Sequence, residues 1–298
     1  MHAVVLSFPG HFWQTQLCVQ RLLHYYHDIN IMTFILDDVD ASTWNQYSKD
    51  FVDAVTKNTE VDMRFVKVSD LGKIAKCPAG WWRQQLIKLT LDEILDDSSW
   101  FVVDGDVIFG SKIDVAENVP ISRRGDFASN WSKMCVNYVR DVIGQGPGFL
   151  TMDETPVITS AIPFRHLDRD LLTTLRAHVE ARFQSDFVTL HLNWFDDQTI
   201  VADISPPTRW VMSEWELIES FRRNVLDQDW PFLDIGSGYP IDCDLQAQQG
   251  GINVFHHAYL RDAEIGPKWF QDHGIEIDSM TWTRSQHWYD QHESDIRA

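Results

Sequence analysis

Two aspartates one residue apart, Asp104 and Asp106, follow the apolar run 101–103 (FVV), with Gly105 between them. Carboxylates at the end of a buried strand are costly unless a positive charge balances them. Mg²⁺ and Mn²⁺ prefer carboxylate and phosphate oxygens, so a divalent cation shared with a phosphate ligand would supply that charge. A surface turn with two solvated aspartates is the alternative interpretation. The pattern predicts a metal–phosphate site held by Asp104 and Asp106.

Two further polar clusters follow apolar runs nearer the N-terminus. The first contains Ser7, Phe8 and Pro9, and the second is the pair Asp37 and Asp38. Ligands of open α/β sheets bind beyond the carboxyl ends of the strands, so these residues are candidates for binding a nucleotide. Asp37 or Asp38 would accept hydrogen bonds from a ribose or a base, although a helix N-cap explains an aspartate there equally well.

Residues 80–95 (GWWRQQLIKLTLDEIL) predict a helix with an apolar stripe on one face. Arg83, Gln84 and Lys88 lie within about one turn of each other, and Gln84 and Lys88 are i,i+4 neighbours. Cations and an amide facing a diphosphate would stabilise the negative charge of a leaving nucleotide. The alternative is a solvated polar face opposite the apolar stripe.

Acidic residues in the second half are candidates for the base that activates an acceptor hydroxyl. Glu214 and Glu216 are the first choice, and Asp197, in the pair Asp196-Asp197, is the second. On a helix Glu214 and Glu216 diverge by about 200°, so we expect one of them to face the cleft. Compensation of the helix dipole is the competing explanation for both.

The elements that must position these residues alternate between strand and helix. The predicted strands are 3–8, 31–36, 62–68 and 99–104, and the predicted helices are 11–27, 43–57, 80–95, 165–182 and 213–225, the last with Ser213 as N-cap, before an extended loop at 231–251. Alternation of this kind favours an α/β fold with a mainly parallel sheet flanked by helices. The simplest partition is one domain.

With these motifs the sequence resembles the GT-A class of nucleotide-sugar glycosyltransferases, and within it a bacterial and viral group. The motifs that carry the resemblance are Ser7-Phe8-Pro9, Asp37-Asp38, the G-W-x-R-Q-Q-x-x-K-L segment 80–89, Asp104-Gly105-Asp106, Ser213-Glu214-Trp215-Glu216-Leu217 and His256-His257. The resemblance covers about residues 1–260. It implies a GT-A-like, Rossmann-type mixed sheet, with a nucleotide-sugar-binding half at 1–110, an acceptor-binding half at 111–260 and an acidic extension at 261–298.

The resemblance also implies an activity and a cofactor. A hexosyl- or pentosyltransferase of this class moves a sugar from a nucleotide-sugar, here a UDP-sugar by preference, to an acceptor hydroxyl. Asp104 and Asp106 would hold Mn²⁺ or Mg²⁺ against the diphosphate, with Asp104 also contacting the donor. A late histidine completes the metal shell in such enzymes. On a strand His256 and His257 point to opposite faces, and we favour His257.

Two other functions fit parts of the same pattern. Haloacid-dehalogenase-like phosphatases also use an apolar strand followed by D-x-D, with the first aspartate as nucleophile. Their motif opens the domain and carries Thr or Val two residues after the second aspartate, whereas this chain has Ile108 there and three predicted strands before it. A non-catalytic sugar-binding module is the third reading, and the intact Asp104 and Asp106 count against it.

Composition narrows the partners. The 298 residues include 25 Lys+Arg and 44 Asp+Glu, a formal charge of -19, which disfavours polyanions. Six cations nevertheless cluster within 64–88, so DNA stays open as a partner. The acceptor hydroxyl would belong to a glycan or surface polymer, or to a hydroxymethylated base in viral DNA.

The four cysteines form no CxxC pair, and no signal peptide or membrane span is visible. We therefore expect a soluble, cytoplasmic protein, in the host cytoplasm if viral.

Overall fold

The computed structural model describes residues 1–7, 12–38, 51–53, 55–56, 59–77, 80–105, 107–109, 121–124, 130–144, 150–152, 155–158, 164–197, 211–228, 233–234, 254–255 and 271. The strands are β1 His2–Ser7, β2 Ile31–Leu36, β3 Asp62–Lys67, β4 Ser99–Asp104, β5 Ile108–Phe109, β6 Ile121–Arg124, β7 Leu150–Met152, β8 Thr155–Ile158, β9 Phe164–Asp168, β10 Leu233–Asp234 and β11 Val254–Phe255. The α-helices are α1 Phe12–Tyr25, α2 Gly80–Leu89, α3 Leu91–Ile94, α4 Asn130–Ile143, α5 Arg169–Phe183, α6 Phe187–Asp196 and α7 Glu214–Asn224.

The main sheet has five strands in the order β3-β2-β1-β4-β9. The first four are parallel, and β9 pairs antiparallel with β4. Two smaller sheets have the orders β10-β6-β8-β7 and β11-β5. This arrangement confirms the predicted fold class, a mixed α/β fold with a mainly parallel sheet flanked by helices.

The central strands are short apolar runs because both faces of the sheet are covered. All six residues of β1 are buried, and five of six in β2. Alternate residues enter two separate cores. Val4, Leu6 and Val102 pack beneath α2 and α4–α7, whereas Val5 and Val103 pack with α1 on the opposite face.

Helix α2 ends earlier than the sequence predicts. The expected helix 80–95 is interrupted at Thr90, and a single further turn, α3, follows. The Thr90 hydroxyl donates to the carbonyl of Leu86 at 2.7 Å, and such back-bonding disfavours regular helix continuation. The interruption leaves Lys88 in the last turn of α2.

Strand β9 contradicts the predicted helix 165–182, whose first four residues are strand. The helix instead spans Arg169–Phe183. Pairing with β4 places Arg165 opposite Val102, so a partner more than 60 residues away in the sequence determines this conformation. Predicted helix 213–225 is confirmed as α7, although the Ser213 side chain makes no capping hydrogen bond.

Two predicted elements fall largely outside the described residues. Residues 51–53 and 55–56 of the predicted helix 43–57 are helical, and 233–234 within the predicted loop form β10. The partition into halves at 1–110, 111–260 and 261–298 stays a prediction. Among the described residues no helix is long and apolar enough to cross a bilayer.

Candidate active site

Three predicted site residues stand at adjoining strand ends on one edge of the sheet. Ser7 ends β1, Asp104 ends β4, and Asp37 directly follows β2. The Asp37 N–H donates to the Ser7 carbonyl at 2.8 Å, and the Gly105 N–H donates to the Leu6 carbonyl at 2.8 Å. The predicted convergence of strand ends is therefore present in the fold.

Lys88 joins Asp104 to Glu214 at this edge. Its Nζ lies 2.7 Å from Asp104 Oδ1 and 2.7 Å from Glu214 Oε1. The side chains of Lys88 and Glu214 are 2% and 3% exposed, whereas that of Asp104 is 23% exposed. We call these three residues the lysine–carboxylate cluster. Asp104 is the member that meets solvent.

Two helices, α2 and α7, position the cluster. Helix α2 lies over the sheet and brings Lys88 to the end of β4, while α7 begins at Glu214. The Glu214 N–H donates to Gln85 Oε1 at 3.4 Å, and Lys88 Nζ stands 5.0 Å from the centroid of the Trp215 ring. A carboxylate in the first turn of a helix also favours the helix dipole.

The charge of the cluster follows from its geometry. Burial lowers the pKa of Lys88, whereas the nearby carboxylates of Asp104 and Glu214 and their hydrogen bonds with Nζ raise it. The carboxylates together have the larger effect, so the pKa lies above the ordinary lysine value. Lys88 is therefore an ammonium. This ammonium is shared between the carboxylates of Asp104 and Glu214.

A second ion pair from α2 fixes the end of β2. Arg83 Nε donates to Asp37 Oδ2 at 2.8 Å, and Arg83 Nη1 donates to the Cys77 carbonyl at 2.7 Å, with both ionic side chains largely buried. The carboxylate of Asp38 instead accepts from the N–H and hydroxyl of Ser69, at 2.8 and 2.7 Å. The two adjacent aspartates thus hold different structural partners.

Close packing surrounds the turn after β4. A Cβ on Gly105 would stand 2.5 Å from Thr15 Oγ1 and 2.6 Å from the Leu6 carbonyl oxygen. Thr15 Oγ1 is also 2.5 Å from Ser7 Oγ. The sequence analysis missed Thr15, and its spacing in an ordinary amphipathic helix offered no signal for it.

The remaining predicted residues are distributed around this centre. Gln84 is half-buried on α2, and the neighbouring Gln85, which the sequence analysis did not select, contacts Glu214. Glu216 is half-buried in the first turn of α7. Asp197 is exposed just after α6, where its N–H donates to the Asn193 carbonyl at 3.1 Å.

Tyr138 on α4 and His191 on α6 form a buried hydrogen-bonded pair, and the charge of Glu214 acts on the Tyr138 hydroxyl. Tyr138 Oη lies 3.0 Å from His191 Nε2, and His191 Nδ1 lies 2.8 Å from the Phe187 carbonyl. Burial lowers the pKa of His191 to about 4. Burial raises the pKa of Tyr138 well above its usual value, and the charge of Glu214 adds to the rise. The neutral ring donates from Nδ1 to Phe187 and accepts the Tyr138 hydroxyl at Nε2.

Five candidate residues lie outside the described part of the chain: Phe8, Pro9, Asp106, His256 and His257. Among the residues that are described, no group of three or more His, Cys, Asp or Glu side chains could hold a metal ion. The metal shell predicted from Asp104, Asp106 and His257 therefore stays a prediction.

Fold and site together define a mixed α/β protein with a charged cluster at the carboxyl edge of its mainly parallel sheet. No protein-family model matches the sequence, and no curated protein matches it.

The chain is similar in fold to many solved structures, among them the following three. Galactosyltransferase LgtC in complex with donor and acceptor sugar analogs is 13% identical over 74% of this chain and 70% of that one, with a TM-score of 0.38. An active-site mutant of LgtC is 13% identical over 72% of this chain and 85% of that one, with a TM-score of 0.36. The bifunctional glycosyltransferase WbbM in its apo form is 7% identical over 78% of this chain and 38% of that one, with a TM-score of 0.37. Likenesses of this size carry no conclusion about activity.

Proposed function

We propose that the protein is a metal-dependent glycosyltransferase that moves a sugar from a nucleotide-sugar, a UDP-sugar by preference, to an acceptor hydroxyl. The observation that carries this proposal is the lysine–carboxylate cluster at the end of β4, with Asp104 reaching solvent. This position lies beyond the carboxyl end of a parallel strand, where α/β proteins bind nucleotides.

The partly exposed carboxylate of the cluster is of the kind that a hard divalent cation prefers. Asp104 offers carboxylate oxygens, which Mn²⁺ and Mg²⁺ prefer, and its side chain is 23% exposed. We assign the cation to Asp104 together with Asp106 and His257. When bound, it would neutralise negative charge on the diphosphate leaving group.

The protein's own residues then divide the work. We propose that donor binding uses Ser7, Phe8, Pro9, Asp37, Asp38, Arg83, Gln84, Lys88 and Asp104. Arg83 acts by holding Asp37, because its guanidinium is buried against that carboxylate. Lys88 acts by holding the carboxylates of Asp104 and Glu214 close together, since its Nζ lies 2.7 Å from an oxygen of each.

The three catalytic candidates differ in burial and in position. Glu214 is bound to Lys88, so its negative charge is suited to stabilising positive charge that develops on the transferred sugar. Glu216 is half-buried one residue further along α7, and we propose it as the base toward the acceptor hydroxyl. Asp197 is the second candidate for the base.

The described cations favour a glycan or surface polymer over viral DNA as acceptor. Within 64–88 at least four of the six cationic side chains pair with carboxylates: Arg64 with Asp62, Lys73 with Asp186, Arg83 with Asp37, and Lys88 with Asp104 and Glu214. Paired cations release few phosphate counterions, so this stretch offers little of the salt-dependent affinity that DNA binding needs.

Isothermal titration with UDP and other nucleoside diphosphates, each with Mn²⁺ and with EDTA, tests the proposal. We expect binding of UDP in Mn²⁺ and its loss in EDTA. Asp104→Asn should weaken this binding at least tenfold, whereas the matched change Asp62→Asn, on the exposed edge strand β3, should leave it unchanged.

Three outcomes contradict the proposal. The first is no nucleotide binding by the native protein under any metal condition. The second is burst release of phosphate from a small phosphomonoester that Asp104→Asn abolishes, which would instead identify a phosphatase with Asp104 as nucleophile. Retention of donor binding without sugar transfer to any acceptor would identify a sugar-binding module.

A further inference from the structure

We propose that Thr15, on helix α1, is a positioning residue that holds the turn after β4 in the geometry that donor binding requires. This inference rests on the proposed function and deepens it, because it adds a residue that none of the sequence motifs contains. Thr15 acts through the backbone that carries Asp104 and does not itself contact the metal or the nucleotide.

The first step is a pair of buried hydroxyl groups behind the turn. Thr15 Oγ1 lies 2.5 Å from Ser7 Oγ. Thr15 is 0% exposed and Ser7 is 4% exposed, so the hydrogen bond between them is shielded from water. Ser7 ends β1, the strand beside β4 in the main sheet. The pair therefore joins helix α1 to the strand end next to the turn.

The second step is the contact between this pair and the turn. The Gly105 N–H donates to the Leu6 carbonyl at 2.8 Å, which brings the turn against β1. A Cβ on Gly105 would stand 2.5 Å from Thr15 Oγ1 and 3.3 Å from Ser7 Cβ, so the backbone of the turn lies directly against both side chains. Threonine is β-branched and has few side-chain rotamers, so a buried Thr15 is a stiff support.

The third step is that the same helix also reaches the residue before Gly105. The Asp104 carbonyl accepts from the Val107 N–H at 3.1 Å, and the Cys18 thiol donates to it at 3.9 Å. Thr15 and Cys18 are three residues apart and so share one face of α1. Helix α1 thus contacts the backbone at Asp104 and at Gly105. Groups that orient a metal ligand commonly affect metal affinity as the ligand itself does, so a change in this support should reach the proposed cation.

Three variants separate the Thr15 hydroxyl from a general effect on stability. Thr15→Val keeps the branched shape but removes the hydroxyl, whereas Thr15→Ser keeps the hydroxyl. The matched control is Thr33→Val. Thr33 is also 0% exposed, and its hydroxyl lies 2.8 Å from His2 Nε2. Thr33 pairs with Val4, three residues before the end of β1, so the control breaks a buried hydrogen bond away from the turn.

The measurement is calorimetric binding of UDP over a series of Mn²⁺ concentrations. We expect the Mn²⁺ concentration for half-maximal binding to rise about tenfold in Thr15→Val. Thr15→Ser and Thr33→Val should stay close to the native protein. Thermal melting should show a lower Tm in both valine variants, because each loses a buried hydrogen bond. A shift in Mn²⁺ dependence that is confined to Thr15→Val therefore does not follow from lost stability.

The outcomes distinguish this inference from the function on which it rests. Native Mn²⁺ dependence in Thr15→Val would overturn the inference and leave the proposed function standing. The inference is also wrong if Thr15→Ser or Thr33→Val shifts as far as Thr15→Val. If Thr15→Val does not fold, the smaller change Thr15→Ala takes its place with the same expectation. If the native protein binds no UDP at any Mn²⁺ concentration, the proposed function fails and this inference fails with it.

Discussion

Acid should destabilise this protein through His191, and the substitution His191→Gln should remove that effect. The ring is fully buried between α4 and α6, where Nδ1 bonds to the Phe187 carbonyl and Nε2 to the Tyr138 hydroxyl. Both contacts suit the neutral ring, because a protonated ring would have no lone pair for the Tyr138 hydroxyl. Glutamine keeps an amide donor and an acceptor but does not titrate.

The size of the effect follows from the pKa of His191, which burial lowers from 6.5 to about 4 in the folded protein. Between these values the unfolded chain takes up a proton that the folded protein does not, so the free energy of unfolding decreases as the pH decreases. The contribution is complete above pH 6.5 and is lost progressively toward pH 4, for a total of about 3 kcal/mol.

Urea unfolding at about pH 7 and about pH 4.5, followed by tryptophan fluorescence, measures the effect. His191→Gln loses ring contacts with Phe187 and Trp194, so it should be less stable at neutral pH by about 1–2 kcal/mol. Between the two pH values, however, it should lose about 2 kcal/mol less than the native protein does. The control His27→Gln, at an exposed position, should match the native protein. Equal losses in His191→Gln and the native protein would refute the assignment of a neutral buried ring.

Three further predictions test other parts of the fold. Gly105→Ala should cost about 1–3 kcal/mol in urea unfolding, because the new Cβ would stand 2.6 Å from the Leu6 carbonyl oxygen; an unchanged midpoint would contradict this close approach. Arg176→Met should lower the free energy of unfolding by about 3–5 kcal/mol, because it removes the guanidinium whose two terminal nitrogens contact the buried carboxylate of Asp92. A change below about 1 kcal/mol would contradict a structural role for that pair. The folded pKa of Lys88 lies above its ordinary 10.5, so its contribution to stability is complete below pH 10.5 and is lost as the pH rises above it. The free energy of unfolding should therefore decline from about pH 9 to 12. The decline should be smaller in a double variant that carries Lys88→Gln and Glu214→Gln.

The sequence predicted well the strands that carry a clear local pattern, either a near-continuous apolar run or, in β3, an alternation of exposed and half-buried residues. Strands β1, β2 and β4 are near-continuous apolar runs, and their observed bounds differ from the predicted ones by at most one residue at each end. Strand β9 was missed because its residues, Phe164–Asp168, form a strand only through pairing with β4 at the sheet edge. Local periodicity carries no information about a partner so distant in the chain.

The site was predictable as a set of residues but not as a set of contacts. Asp104, Lys88 and Glu214 were each selected for their chemistry, yet 126 residues separate Lys88 from Glu214, and no local spacing indicates that they meet. Helical spacing also suggested that Gln84 shares a functional face with Lys88. The structure instead places Gln85 against Glu214, because the approach of α7 determines which face of α2 is used.

The charge argument that began with Asp104 therefore reaches a different end point in the folded chain. A carboxylate at a strand end needs a cation, but helix α2 supplies one to each of two strand ends, Arg83 at Asp37 and Lys88 at Asp104. Arg83 pairs with Asp37, whereas the ammonium of Lys88 is shared between Asp104 and Glu214. The need for a positive charge at the end of β4 is thus met within the protein by Lys88, which the strand-end pattern alone does not indicate.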